Sequence, residues 1–277
     1  MAGDVRPETG GQRGVIVSVF SSKGGTGKTT LTTNLAAAIA DRSGKDTAVL
    51  DLELELGDVH AHFGQEAKLT VQDLVDLGKL TEREEILAAG SRFGEHLWGY
   101  GAIAEPGLPQ ISGESIGKVL RALRGMFAFT VIDASASYAY HAVASFDVSE
   151  VVFLITALDI VAVRHLSIAL RTLLSLGVPQ ERFRVILNRA DSKVGLDVTE
   201  VERVMRIKVD AGIPSSRLVP TALNNGQPVY LHDPRSPVAK SFTALADRVI
   251  ALGEPLAARA QRSRAQRSQK SGFRRKR

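Results

Sequence analysis

Short apolar runs alternate with stretches of helical periodicity along this 277-residue chain, beginning at Gly14. The apolar runs are rich in Val, Ile and Phe, which is typical of buried strands. The pattern predicts strands at Val15–Phe20, Ala48–Leu52, Leu97–Ile103, Phe129–Ile132, Val151–Thr156 and Arg184–Leu187. It predicts helices at Thr30–Asp41, Val71–Leu80, Glu82–Ala89, Glu114–Leu123, Val161–Leu176, Val198–Met205 and Val238–Leu252, with Thr70 and Thr81 as N-caps.

Strands that are apolar throughout and separated by helices indicate a parallel sheet covered on both faces. We therefore predict an α/β fold with a doubly wound, mainly parallel sheet, whose ligands bind at the carboxyl ends of the strands. The composition does not change abruptly before residue 255. We expect a flexible N-terminus over residues 1–13, one folded domain over 14–254 and a disordered tail over 255–277.

A glycine-rich segment between the first strand and the first helix carries the clearest chemistry. It reads Ser21-Ser-Lys-Gly-Gly-Thr-Gly-Lys-Thr-Thr30. Glycines let successive backbone N–H groups surround phosphate oxygens, and the following helix N-terminus adds partial positive charge. In this pattern Lys28 reaches the β- and γ-phosphates, and the Thr29 hydroxyl coordinates Mg²⁺. A glycine-rich turn without a ligand would not need the strand before it and the helix after it.

This segment resembles the deviant Walker A motif of the ParA/MinD superfamily of P-loop ATPases (the SIMIBI type). The resemblance implies ATP and Mg²⁺ as cofactors and a homodimer that forms on ATP binding. It also implies that Lys23 reaches across the dimer to the partner's nucleotide, so Lys23 and Lys28 would both serve catalysis. The nucleotide contacts would be Lys23, Gly24, Gly25, Thr26, Gly27, Lys28, Thr29 and Thr30.

Two acidic strand ends complete the expected site. The family usually has Asp-x-Asp after the second strand, whereas this chain has Asp51-Leu-Glu53. By resemblance Glu53 orients the attacking water, and its extra methylene predicts slow hydrolysis because general-base geometry is demanding. Asp133 matches the Walker B aspartate, so Thr29, Asp51 and Asp133 are the expected metal site. The family's proline-containing switch is replaced here by Ala134-Ser-Ala-Ser137.

The end of the strand near residue 186 is the expected adenine site. Asn188 offers one donor and one acceptor, as an adenine edge requires, and the family has an Asn here. Arg189 follows it, and the backbone around Pro220 would line the other side of the base. The six histidines are scattered, and we interpret His60 and His62 as ordinary surface or switch-loop residues.

The amino-acid composition excludes several kinds of metal site and catalytic group. The absence of cysteine excludes Cys-ligated iron–sulfur clusters, thiolate zinc sites and a Cys nucleophile, so no metal cluster is expected. No signal peptide is apparent, and the longest apolar run is much shorter than the roughly 20 residues of a membrane span. The net charge is +5, but residues 255–277 hold nine basic and no acidic side chains, which leaves 26 basic against 30 acidic residues elsewhere.

Four segments resemble the CpaE/TadZ group of Flp (Tad) pilus assembly ATPases, namely Leu56–Val59, Leu187–Leu196, Ile213–Pro220, and Asn225–Pro228 together with Ser236–Ala239. The resemblance implies a dimeric ATPase that organises a pilus or secretion assembly and contacts its machinery proteins. A ParA-like DNA-segregation ATPase, a MinD-like cell-division positioning ATPase and a nucleotide-binding scaffold without turnover stay open. The basic tail suits DNA or anionic membrane equally, or serves solubility. We expect a cytoplasmic protein, with peripheral placement at the inner face of the membrane or a cell pole.

Overall fold

The computed structural model describes residues 14–53, 57–68, 70–76, 83–101, 111–192, 194 and 196–254. Eight strands in these ranges form one sheet. They are β1 (Val15–Phe20), β2 (Thr47–Asp51), β3 (Ser91–Gly94), β4 (Leu97–Tyr100), β5 (Phe129–Asp133), β6 (Val151–Ala157), β7 (Phe183–Asn188) and β8 (Val209–Ile213).

Helices connect and cover these strands. They are α1 (Lys28–Ser43), α2 (Val71–Asp76), α3 (Arg83–Ala89), α4 (Gly113–Met126), α5 (Tyr140–Val148), α6 (Ile160–Ser175), α7 (Val198–Met205), α8 (Leu218–Asn224), α9 (Val229–His232) and α10, over residues 237–254. A short 3₁₀ helix, Ala61–Phe63, follows the loop after β2. No helix among the described residues is long and apolar enough to cross a bilayer.

The strand order is β3-β4-β2-β5-β1-β6-β7-β8. All neighbouring pairs are parallel except β3 and β4, which confirms the α/β, mainly parallel prediction. Because parallel strands end at the same edge, the segments that follow β1, β2, β5, β6 and β7 meet there. The register places Asp51 at the end of β2 directly opposite Asp133 at the end of β5.

Strand β1 has a hydrophobic core on each side. Val15, Val17 and Val19 pack against α1 and α10, because alternate side chains of a strand point to opposite faces. Ile16 belongs to a second cluster with α4, and Phe20 to a third with α6. Helix α1 is buried from Leu31 through Ala40. This burial holds the start of α1, and with it the glycine-rich segment, in a fixed position above β1.

Several predicted elements need correction. Strands β3 and β8 and helix α5 were not predicted from the pattern, because Gly, Asp, Ser and His interrupt their short apolar runs. The strand predicted to reach Ile103 ends at Tyr100. Helix α7 has its predicted bounds, and Thr70 caps α2 as expected, its Oγ1 accepting from the Asp73 N–H at 3.1 Å. The predicted cap at Thr81 and the N-terminal and C-terminal segments lie outside the described residues.

Candidate nucleotide site

The glycine-rich segment forms a tight loop between β1 and α1. Gly25 and Gly27 have positive φ angles of 74° and 94°, which favour glycine strongly. A Cβ at Gly27 would lie 2.4 Å from Asn188 Nδ2, so both the φ angle and the close neighbour require glycine. Helix α1 starts at Lys28 rather than at Thr30, and no acidic residue lies in its first turn. The predicted phosphate loop therefore has the backbone conformation and the helix N-terminus that bind phosphate.

Asp133 organises the polar centre beneath this loop. Its carboxylate accepts hydrogen bonds from Lys28 Nζ at 2.9 Å, Thr29 Oγ1 at 2.7 Å and Thr32 Oγ1 at 3.1 Å. Asp133 is fully buried, and 12% of the Lys28 side chain is exposed. A buried charge needs a partner, so this ion pair satisfies both groups. The structure thus joins the predicted phosphate-binding lysine, the predicted Mg²⁺ hydroxyl and the predicted Walker B aspartate.

Asp51 is the second buried carboxylate at this edge. Its oxygens accept from the backbone N–H groups of Glu53 at 2.9 Å and Val59 at 3.1 Å, which holds the loop after β2. Burial and the adjacent charge of Asp133 raise the pKa of Asp51 to about 7, while these hydrogen bonds and Lys28 act in the opposite direction. Two buried carboxylates beside a threonine hydroxyl form the hard-oxygen environment that Mg²⁺ prefers. The residues fit a magnesium ion, which would be held by Thr29 and Asp133 with Asp51 behind them.

Glu53 bridges the loops that follow β2 and β5. Its carboxylate accepts from Ser135 Oγ at 3.2 Å and from the Ala136 N–H at 3.1 Å. Lys28 Nζ lies 3.7 Å from the same carboxylate. The residue expected to orient water is therefore attached to the segment that replaces the family's proline-containing switch.

Lys23 contacts its own chain. Its Nζ lies 3.0 Å from both carboxylate oxygens of Asp159, which also caps α6 by accepting from the Ala162 N–H at 2.7 Å. Both side chains of the ion pair are partly exposed. The predicted reach of Lys23 to a partner's nucleotide stays a prediction, and it requires this ion pair to open. Asp159 was missed in the sequence, although an Asp directly before an apolar helix is a recognisable N-cap pattern.

The predicted adenine contacts are partly assembled. Asn188 Nδ2 donates to the Thr26 carbonyl at 2.7 Å, and its Oδ1 accepts from the Arg189 N–H at 3.0 Å, so Asn188 braces the phosphate loop. Arg189 is exposed with a φ of 52°. Pro220 lies within α8, not in extended backbone, and the Thr221 N–H bonds to the Arg217 carbonyl. The base contacts of these three residues stay predictions.

The histidines near the site differ from expectation. His60 is buried and packs edge-on against Phe93, with ring centroids 4.9 Å apart, so the interpretation as a surface residue is wrong. His62 Nδ1 lies 3.0 Å from Thr33 Oγ1, which itself donates to the Thr29 carbonyl. Burial lowers the pKa of both imidazoles. No periodicity in the sequence indicated this contact, because it depends on how the loop after β2 folds back on α1.

A glycine-rich loop on a helix N-terminus, a largely buried lysine and two strand-end aspartates define a P-loop nucleotide-binding protein. The model of the CobQ/CobB/MinD/ParA nucleotide-binding domain matches residues 17–229. The chain therefore belongs to this family, within the ParA/MinD superfamily of P-loop ATPases.

Individual relatives agree with this assignment. The septum site-determining protein MinD of Thermotoga maritima is 28% identical over 250 residues, covering 88% of this chain and 90% of its own length. The sporulation initiation inhibitor protein Soj of Bacillus subtilis is 27% identical over 261 residues, which cover 87% of this chain and 100% of Soj. Among solved structures, a ParA family ATPase from Chlorobium tepidum superposes with a TM-score of 0.80 at 20% identity, with 84% and 98% covered. MinD from Pyrococcus horikoshii, complexed with Mg-ADP, gives a TM-score of 0.74 at 24% identity, with 88% and 98% covered.

Proposed function

We propose that this protein binds Mg-ATP between two copies of the chain, hydrolyses it slowly, and uses the cycle to position a cellular assembly. The observation that carries the proposal is the cluster of Lys28, Thr29 and Asp133 under the phosphate loop. Lys28 and Thr29 each bond to Asp133, and incoming phosphates and Mg²⁺ would replace these internal partners. The chemistry is phosphoryl transfer from ATP to water, with ADP and phosphate as products. Transition-state charge would be stabilised by Lys28, by Mg²⁺ and by Lys23 of a second copy.

The oligomeric state with and without ATP tests this proposal. We expect light scattering to show a monomer without nucleotide and a dimer with Mg-ATP. Lys23→Ala should stay monomeric, and Lys28→Ala should lose both ATP binding and phosphate release. Lys118→Ala is the matched control, because that lysine is exposed on α4 and pairs only with Glu114 among the described residues. A wild-type protein that stays monomeric with Mg-ATP would contradict the sandwich-dimer mechanism.

We further propose a pilus or secretion assembly as the cargo, on the resemblance of the four segments to the CpaE/TadZ group. DNA is the second candidate, supported by the nine basic residues of 255–277. Positioning of division proteins is the third, supported by the likeness to MinD.

Binding to DNA separates the second candidate from the others. A DNA-segregation ATPase should bind DNA only with ATP, with a slope of about −0.9 in log affinity against log salt for each phosphate contacted. A chain ending at residue 254 should lose most of that slope if the basic tail makes the contacts. Binding that is unaffected by nucleotide and by salt would exclude DNA as the cargo. Binding of the tail to anionic vesicles, but not to DNA, would favour placement at the membrane.

A further inference from the structure

Glu53 and Ser135 occupy two positions at which this chain departs from the family pattern, and they touch each other. By the family resemblance, Glu53 stands where Asp is usual. Ser135 stands two residues after Asp133, where the family's Asp-x-Pro switch has its proline. Ser135 Oγ donates to Glu53 Oε1 at 3.2 Å. We propose that Ser135 is the positioning residue that holds the Glu53 carboxylate for hydrolysis. This inference rests on the proposed ATPase function, because it concerns the same reaction.

The hydrogen bonds around Ser135 define the direction of its hydroxyl. The Ser137 N–H donates to Ser135 Oγ at 3.4 Å, and the Ser137 hydroxyl lies 3.1 Å from it. A hydroxyl has one hydrogen and two lone pairs. Because a carboxylate oxygen only accepts, the single hydrogen of Ser135 points to Glu53, which leaves the Ser135 oxygen to accept from the N–H and the hydroxyl of Ser137. Ser135 is 5% exposed, so water competes little for this bond.

The second oxygen of the Glu53 carboxylate is held by backbone. The Ala136 N–H donates to Glu53 Oε2 at 3.1 Å. Together, the two donors restrain a side chain that has one more rotatable bond than Asp and would otherwise keep more rotamer freedom. A proline at position 135 could supply no hydroxyl for this purpose. The longer carboxylate and the serine thus compensate for each other.

The restraint does not depend on the resting position of Lys28. Lys28 Nζ is 3.7 Å from Glu53 Oε2, and its shorter contact is with Asp133. When Lys28 turns to the phosphates, Glu53 loses that ion pair but keeps both donors from the loop after β5. Glu53 is therefore held in place at the stage when water has to be oriented, which is the requirement for a general base.

Steady-state phosphate release tests the proposal. We expect Ser135→Ala to lower kcat about 10-fold, the range for losing one hydrogen bond to a charged group. The KM for ATP and ATP-dependent dimerisation should not change, because Ser135 touches Glu53 and not the expected nucleotide contacts. Ser135→Thr, which keeps the hydroxyl, should restore most of the rate. Ser175→Ala, which removes an exposed hydroxyl at the far end of α6, is the matched control.

A double-mutant cycle separates positioning from a general structural effect. In a Glu53→Ala background, Ser135→Ala should cause no further loss, because the carboxylate it holds is already absent. An equal loss in both backgrounds would overturn the proposal, and so would an unchanged or increased kcat in Ser135→Ala. An increased kcat would mean that the contact with Ser135 keeps Glu53 away from the position that hydrolysis needs.

Two outcomes concern the protein as a whole. If Ser135→Ala does not fold, Glu53→Asp replaces it as the test. The shortened carboxylate should withdraw from Ser135 and lower kcat. Turnover in Glu53→Asp at or above the wild-type rate, as the length of the carboxylate alone would predict, would overturn the proposal. If the wild type releases no phosphate above the Lys28→Ala level, the proposed hydrolysis fails and this inference fails with it. Normal Lys28-dependent turnover with an unaffected Ser135→Ala refutes this inference and leaves the proposed function standing.

Discussion

Replacing Asp51 by Asn should stabilise the nucleotide-free protein at pH 8. Asp51 is 1% exposed and lies opposite the buried carboxylate of Asp133. Burial and that neighbouring charge raise its pKa from 3.8 to about 7. Between about pH 4 and pH 7, Asp51 therefore keeps its proton in the folded protein but has lost it in the unfolded chain. Because the folded state binds more protons, the stability of the protein falls as the pH rises through this range. At 1.36 kcal/mol per pKa unit, the ionised Asp51 costs about 4 kcal/mol at pH 8.

Asn removes this cost but accepts hydrogen bonds through one atom only. The N–H groups of Glu53 and Val59 each bond to a different oxygen of Asp51, so Asn leaves one of them without its acceptor. That loss is about 1–2 kcal/mol and does not depend on pH. Between pH 5 and pH 8, the free energy of unfolding of Asp51→Asn should rise by about 3 kcal/mol relative to that of the wild type. The variant should then be the more stable protein at pH 8.

Urea unfolding followed by circular dichroism, in EDTA and without nucleotide, measures this difference. The buried His60 and the partly buried His62 and His141 have lowered pKa values and also titrate with folding, but they are present in both proteins and their contributions cancel. Asp247→Asn, which removes an exposed carboxylate paired with Arg42, controls for the change in net charge. A wild-type-to-variant difference that stays constant with pH would refute the reasoning. Mg²⁺-dependent nucleotide binding should weaken in Asp51→Asn, so stability and function change in opposite directions.

Two further substitutions test the geometry of the loop. Gly27→Ala forces a left-handed φ on alanine and places its methyl 2.4 Å from the Asn188 amide; we expect at least about 2 kcal/mol lower stability by urea unfolding and no binding of a fluorescent ATP analogue. Gly24→Ala is the control and should keep the stability of the wild type, because the added methyl meets no atom within 4 Å. A Gly27→Ala protein as stable as the wild type would show instead that the loop can rearrange. Asp159→Ser keeps an N-cap oxygen for α6 but releases Lys23 from its ion pair. The dissociation constant of the ATP-dependent dimer, measured by sedimentation, should fall by up to about fivefold, because an exposed ion pair contributes at most about 1 kcal/mol. A weaker dimer would instead mean that Asp159 takes part in the dimer contact.

Most of the fold could be predicted because its local signals are strong. Continuous apolar strands such as β1 and β6 and the long helices α1 and α6 were predicted within a few residues of their bounds. Strand β8 was missed, because an Asp and a Gly interrupt its five residues and only pairing with β7 makes it a strand. The antiparallel β3 was missed for the same reason, since it depends on a neighbour and carries little hydrophobic pattern of its own.

The candidate site divides in the same way. The phosphate loop and its Lys28 are contiguous in the chain, and their conformation follows from glycine at positive φ and from the helix that begins there. Asp133 could be predicted because it ends a buried apolar strand at the same edge of the sheet. The ion pair of Lys23 with Asp159 joins residues 136 positions apart, and no local pattern indicates it.

The sequence was sufficient for the class of chemistry, because phosphate binding needs consecutive residues whose types are restricted by backbone conformation. The state of each group in that site depended on the tertiary structure. The raised pKa of Asp51 requires burial in the packed sheet and, in addition, a second carboxylate brought from β5. The attachment of Glu53 to Ser135 requires neighbouring strands in a particular register. Charge and hydrogen bonding between distant residues depend on distances that only the packed sheet creates.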